Sequence, residues 1–344
     1  MPIHARKSAA IRELLLSSMR EQSSATTIER TAVSGLWWGL LGVAAFSFTV
    51  PMTRVAVGGL APLFIGSGRA VVAAALAVLA LAVTRQRLPR GAQWPRLAVV
   101  GGGVVVGFPL LTSFALTSVP AGHSAVVIAV LPATTAVLTV LRGHERPPAG
   151  FWIAAGAGAF AALAFASVHG AGFGGLHWAD LLLFGAVLAA GAGYAEGGLL
   201  ARELGAWQTI SWALVLCAPI MVVLTIGSAL RQTPHGTPGQ WAAFAYLGVV
   251  SMFLGFFAWY RGLAIGPMSQ VSQVQLVQPV LTIAWAALLL GERLTAATIA
   301  GGLVVILCAT AAVRTRLQDV AGVTGVREER AIRQPSGAPA SDAI

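Results

Sequence analysis

The chain has 344 residues, of which 57% are hydrophobic and only 10% charged, with a formal net charge of +10. Soluble proteins carry about 25% charged residues, so charges this sparse, grouped between long apolar runs, exclude an ordinary soluble domain and make a bilayer the natural solvent. Two cysteines, Cys217 and Cys308, both lie inside apolar runs, which excludes a disulfide framework and a zinc-ligand spacing.

Residues 1–33 form a tail before the first apolar run. Its stretch SAAIRELLLSSMREQ reads either as a short amphipathic helix on the membrane surface or as a dispensable extension with Met19 as an alternative start. Ile11 to Met19 is too short for a secretory leader, and no small-residue cleavage site follows. Windows of about 20 apolar residues then place ten spans, at 34–54, 61–83, 97–117, 122–141, 150–168, 178–200, 206–229, 240–260, 268–289 and 296–313. Connections between them are short, so one compact bundle is expected. Residues 314–344, rich in charge, Pro, Ser and Ala, read as a disordered tail.

Ten crossings leave both tails on one side, and the basic residues say which. With the tails in the cytoplasm, cytoplasmic segments hold eighteen Lys/Arg, against three (Arg54, Arg231 and Arg293) in the outer connections. This is the positive-inside pattern. It predicts a multi-pass protein of the bacterial inner (plasma) membrane and removes nucleic acid as the reason for the net charge. Eight Trp (Trp37, Trp38, Trp94, Trp152, Trp178, Trp207, Trp241 and Trp259) fall at or near predicted span ends, as an interfacial belt would.

The fourth and ninth spans align at an offset of 147. Pro120 then falls on Pro267, Pro132 on Pro279, Thr135 on Thr282, and Glu145 and Arg146 on Glu292 and Arg293. Each repeat has five spans, an odd number, so the second enters the membrane from the opposite side. The expected fold is an all-α polytopic membrane protein of ten transmembrane helices, built as two inverted five-helix repeats over residues 34–168 and 178–313. Inverted repeats are a hallmark of alternating-access transporters, whose substrate site lies at the repeat interface near the midplane.

Both copies carry a family pattern. FALTSVPAGHSAVVIAVLPATTAVLTVLRGHER and YRGLAIGPMSQVSQVQLVQPVLTIAWAALLLGERL share a small-residue step, a mid-span proline, an apolar run and a closing Glu-Arg. This resembles the EamA domain of the drug/metabolite transporter superfamily. Arg69 in IGSGRAVVAA matches the family's second-span arginine, and GYAEGGLLAREL, from Gly193 to Leu204, is similar to the sixth-span ending of some bacterial members. The resemblance covers about residues 34–314. The first copy departs from it, with His144 in place of glycine and Pro147 and Pro148 following. The resemblance implies a cavity formed by the first, third, fourth, sixth, eighth and ninth spans.

On the ninth span Gln275, Gln278 and Thr282 lie within about 60° of one another, while Gln270 and Gln273 fall on a different face. Amides are costly against lipid. The three therefore either line a solute path, offering donors and acceptors, or glue helices together. Pro132 and Pro279 free the carbonyls of Ile128 and Gln275, either for substrate and gating or as a static kink. Thr135, the repeat partner of Thr282, joins this cavity set. Arg69 is too deep to be ordinary surface charge; it partners a carboxylate or substrate, or is a structural ion pair or a snorkelling side chain. His123, aligned with Gln270, is either a proton sensor or an interfacial histidine. Glu196 is the better protonatable relay in a span that also holds Asp180. Glu145 and Glu292 are expected to cap or pin the short turns. Small residues at Ala154, Gly158, Ala162 and Ala166, and at Gly103 and Gly107, suit close helix contact, within the bundle or in a homodimer.

The resulting reading is a secondary active transporter, exporting a small metabolite, amino acid or drug-like solute by alternating access, with no cofactor and a proton as candidate coupling ion. No P-loop is present to use ATP. Its rivals are a membrane-embedded enzyme and a channel or scaffold. The enzyme would need a clustered nucleophile, base or metal site, and the six histidines show no paired-ligand spacing.

Overall fold

The computed structural model describes residues 34–143, 148–169, 177–265, 271, 274–311 and 314, and all of its regular structure is helical. In chain order the apolar helices are α1 (Ser34–Ala56), α2 (Pro62–Val83), α3 (Gln93–Ala115), α4 (Ala121–Arg142), α5 (Ala149–Phe165), α6 (Trp178–Leu204), α7 (Ala206–Arg231), α8 (Pro238–Ile265), α9 (Gln275–Leu290) and α10 (Ala296–Ala311). Among the described residues seven are long and apolar enough to cross a bilayer; α5, α9 and α10 are shorter. Each overlaps a window read from the sequence. The N-terminal amphipathic stretch, Gln270, Gln273, Glu145, Arg146 and the tail beyond 314 lie outside the described residues.

Helices suit these runs because only a helix satisfies every backbone group within one segment in hydrocarbon. Large apolar side chains such as Phe160 (72% exposed) and Leu230 (82% exposed) point outward, where lipid is their solvent. Inward faces are built from small residues that let backbones meet. A Cβ on Gly42 would strike the Trp259 backbone, one on Gly262 the backbone of Gly39, and one on Gly103 the backbone of Ala189 and Gly193. The α5 stripe is used inside the chain: Gly158 abuts Cys308 of α10, and Gly301 of α10 abuts Phe165.

Contacts at the two ends of the bundle fix the directions of α1, α3, α4 and α6. At one end Arg54 Nη1 donates to the Leu116 carbonyl at 2.5 Å, His123 meets Asp180, and Glu292 meets Ala121. At the other, Arg96 and Arg142 meet Glu196, and Gln86 meets Gln208. Thus α1 runs toward the His123 end and α6 runs away from it.

Interruptions of the helices recur at matched places. A π-helical segment occupies Gly101–Gly107 in α3 and Leu247–Leu254 in α8. The α-helix breaks at Ala129 and Val130 before Pro132, and a 3-10 turn at Val274–Val277 precedes Pro279. Both pairs sit close to the 147-residue offset seen in the sequence.

One aromatic departs from expectation. Trp37, Trp152 and Trp178 are exposed, as in a belt, but Trp259 is only 2% exposed. α8 continues past it to Ile265, and its ring packs against Phe46 of α1 and Tyr194 of α6. Trp259 belongs to the core.

Candidate functional site

Between α1, α4 and α9 lies a small cavity lined by Val50, Ala125, Ile128, Leu131, Pro132, Gln275, Gln278, Pro279 and Thr282. Its free volume is about 10 Å³, roughly the space of one water. The free space beside its polar groups is therefore small in this conformation.

Those groups are arranged by the broken helices. Pro132 and Pro279 have no N–H to give the carbonyls of Ile128 and Gln275, four residues earlier, and both carbonyl-bearing residues line the cavity. Gln275 (3% exposed) and Gln278 (8% exposed) are buried, and Gln275 Nε2 and Gln278 Oε1 have no hydrogen-bond partner. Unpaired buried polar atoms are costly, and these two leave one donor and one acceptor unused. Thr282 differs: its Oγ1 donates to the Ser47 carbonyl at 3.0 Å, and Trp285 Nε1 donates to Ser47 Oγ at 3.0 Å. The Trp285 ring stacks on Phe48 at 4.4 Å. These contacts hold α9 to α1.

Five of the residues singled out from sequence meet here: Pro132, Gln275, Gln278, Pro279 and Thr282. Four do not line the cavity. Thr135 donates to its own helix, at the Leu131 carbonyl. Arg69 is buried in α2. His123 and Glu196 lie at opposite ends of the bundle, each in a polar contact that joins α4 to α6.

At the His123 end, His123 Nε2 lies 2.7 Å from Asp180 Oδ1, and both side chains are buried. Asp180 also accepts from the His177 backbone N–H, while His177 Nδ1 accepts from Ala179, so one carboxylate both starts α6 and holds α4. The Phe165 ring packs over His123 at 5.1 Å. Beside this pair Glu292 accepts from the backbone N–H groups of Ala121 and Gly122 at the start of α4, 2.8 Å each. The sequence pointed to local capping for Glu292; its partners are instead about half the chain away.

At the other end Glu196 is 6% exposed and paired with Arg96 from α3 and Arg142 from α4, the latter at 3.1 Å. Arg96 reaches Glu203 as well, at 2.5 Å. Between this network and the cavity sits an aromatic layer of Phe46, Tyr194, Phe256 and Trp259. Outside it an open basin of about 500 Å³ is lined by Arg85, Arg87, Arg90, Glu203, Gln208 and Trp212, among others. The pairings of Asp180, Arg96, Arg142 and Glu203 were not read from the sequence. Their signal was faint: a charge at a span end looks like an interfacial charge until its partner is known.

A multi-pass helical membrane protein, with a small cavity bearing buried amides between helices broken at matched prolines, has the architecture of a transporter. The chain belongs to the EamA-like transporter family, whose sequence model matches residues 33–167 and 177–314, within the drug/metabolite transporter superfamily. It is 42% identical over 284 residues to the "uncharacterized transporter YdeK" of Bacillus subtilis (strain 168), covering 80% of this chain and 96% of that one. It is 26% identical over 251 residues to a "probable terminal-alkyne amino-acid exporter" of Streptantibioticus cattleyicolor, covering 71% and 82%. A solved crystal structure superposes with a TM-score of 0.57 at 16% identity, over 82% of this chain and 98% of that one, a likeness of fold.

Proposed function

We propose that this transporter is a secondary active exporter of a small polar solute (a metabolite, amino acid or drug-like molecule) that works by alternating access through the cavity between α1, α4 and α9. The observation that carries this reading is the pair of unpartnered amide atoms, Gln275 Nε2 and Gln278 Oε1, beside two prolines from opposite halves of the chain. In this reading the ten helices cross a bacterial inner membrane as two inverted units, residues 34–168 and 178–313, with both tails and the Arg96 end in the cytoplasm. The excess of basic residues on that side supports the orientation. The name of the Streptantibioticus relative supports an amino-acid-like solute.

Proton coupling is part of the proposal, with His123 and Glu196 as its candidate groups. Glu196 is already engaged by two guanidiniums, so a relay role requires both contacts to open. His123 has a simpler environment, facing Asp180 and Phe165. Because His123–Asp180 and Arg142–Glu196 tie the same two helices at opposite ends, alternating access means loosening one while the other holds.

The test is counterflow in proteoliposomes against a panel of amino acids and metabolites, with and without an imposed pH gradient. Saturable counterflow of one solute class supports the reading, and indifference to every solute overturns it. Counterflow that responds to solute but never to the pH gradient removes the proton alone.

A further inference from the structure

Arg69 is 1% exposed, and its Nε and Nη1 atoms have no hydrogen-bond partner. Among the described residues no carboxylate pairs with it; Glu196, Glu203 and Asp180 are engaged elsewhere. Burial this deep argues against snorkelling to the membrane surface. Its direction follows from its neighbours on α2. Gly66, one turn earlier, meets Pro109 and Leu110 of α3, and Val72, one turn later, meets Gly248 of α8. Ser67, on another face, is turned to Thr225 of α7. Arg69 lies between the first two faces, so it is directed into the bundle between α3 and α8. The π segment of α8 begins there, with Gly248 against the Arg69 carbonyl. One turn on, Ser251 and Thr49 of α1 share a hydrogen bond at 2.7 Å, and the next residue of α1, Val50, lines the cavity.

A buried guanidinium without a counter-charge carries a desolvation cost that nothing in the described chain offsets. We propose that the missing anion comes from outside the chain and that Arg69 binds the carboxylate of the transported solute. This rests on the exporter reading above and narrows its substrate class to carboxylate-bearing small molecules. The chemistry fits, since the planar guanidinium presents paired N–H donors that match a carboxylate's two oxygens. Arg69 does not itself line the cavity; the acceptors there, Gln278 Oε1 and the freed carbonyls of Ile128 and Gln275, suit an amine or hydroxyl. Arg85, Arg87 and Arg90 line the open basin at the Arg96 end, where they favour anions near the surface.

The full-length protein is tested by thermal shift in detergent and by counterflow in proteoliposomes. The probes are leucine, phenylalanine, lactate and pyruvate, each beside its carboxamide, in a low-salt buffer with and without added chloride. At least one acid is expected to stabilise the protein and drive counterflow, with its amide weaker by about ten- to a hundredfold, the scale of a charge-assisted pair. Arg69→Gln should abolish that difference, and Arg69→Lys should keep part of it. Equal response to acid and amide in the wild type overturns the proposal while leaving the exporter reading intact, and this comparison needs no variant to fold. Acid binding that depends on Arg69 but never drives counterflow upholds the site and defeats the exporter reading. Chloride stabilisation matching that of the acids overturns the carboxylate assignment. Silence from every probe overturns it as well.

Discussion

Glu292 caps α4: its carboxylate accepts from the backbone N–H of Ala121 at 2.8 Å, 171 residues away in the chain. The first N–H groups of a helix have no partner inside it, and an anion there also meets the positive end of the helix dipole. One side chain after α9 therefore positions the helix that carries Pro132. Glu292→Ala should lower stability by about 1–2 kcal/mol, the scale of a lost cap, and Glu292→Gln by less. Thermal melts in detergent check the order; equal melting of both variants and wild type would deny the cap any weight.

Arg96 and Arg142 share Glu196 but differ in setting. The Arg96 side chain is 21% exposed and serves two carboxylates, whereas that of Arg142 is 58% exposed and serves one. Removing Arg96 leaves a buried carboxylate leaning on a solvated partner. Arg96→Gln should cost about 1–3 kcal/mol, short of the full penalty for breaking a buried pair, and Arg142→Gln less than about 1 kcal/mol. A double-mutant cycle with Glu196→Gln measures both couplings. Proton-driven transport that persists in Glu196→Gln would take Glu196 out of coupling.

Gln278 and Thr282 both line the cavity, yet only Gln278 has an unoccupied polar atom there. Gln278→Leu should reduce transport about three- to tenfold, the value of one hydrogen bond to solute, with folded protein retained in the membrane. Thr282→Val should act first on stability, because Thr282 already donates to Ser47. Counterflow and melting on both variants separate the two roles, and unchanged kinetics in Gln278→Leu would reduce that amide to helix glue.

Pro132→Ala and Pro279→Ala each restore an N–H that can close the missing bond to Ile128 or Gln275. Each variant should be more stable, by about 1 kcal/mol, and slower in counterflow, since the helix gains continuity where it is now broken. A variant that melts higher and transports at the wild-type rate would show that the break is only structural.

The cavity was legible in the sequence for a definite reason. Gln275 and Gln278 interrupt an apolar run at helical spacing, and Pro132 and Pro279 repeat at a fixed offset, so local pattern placed all four. The polar contacts at the two ends of the bundle were not legible, because His123 and Asp180 are 57 residues apart and Arg96 and Glu196 are 100 apart. Nothing near each charge announces its partner. Trp259 was misplaced for a related reason: distance from a predicted span end stood in for burial, and α8 runs beyond that end. The π segments left no signal at all, since GGGVVVG and LGVVSMFL share only apolar and small residues.

Those π segments change how α3 and α8 can be mapped. A π turn takes up an extra residue, so every side chain beyond it is rotated by about 100° relative to an unbroken α-helix. A single helical wheel through either helix therefore assigns the wrong face to half of its residues. Each has two seams, one before the wide turn and one after, and a cysteine scan along α8 should show its labelled stripe jump sideways within Leu247–Leu254.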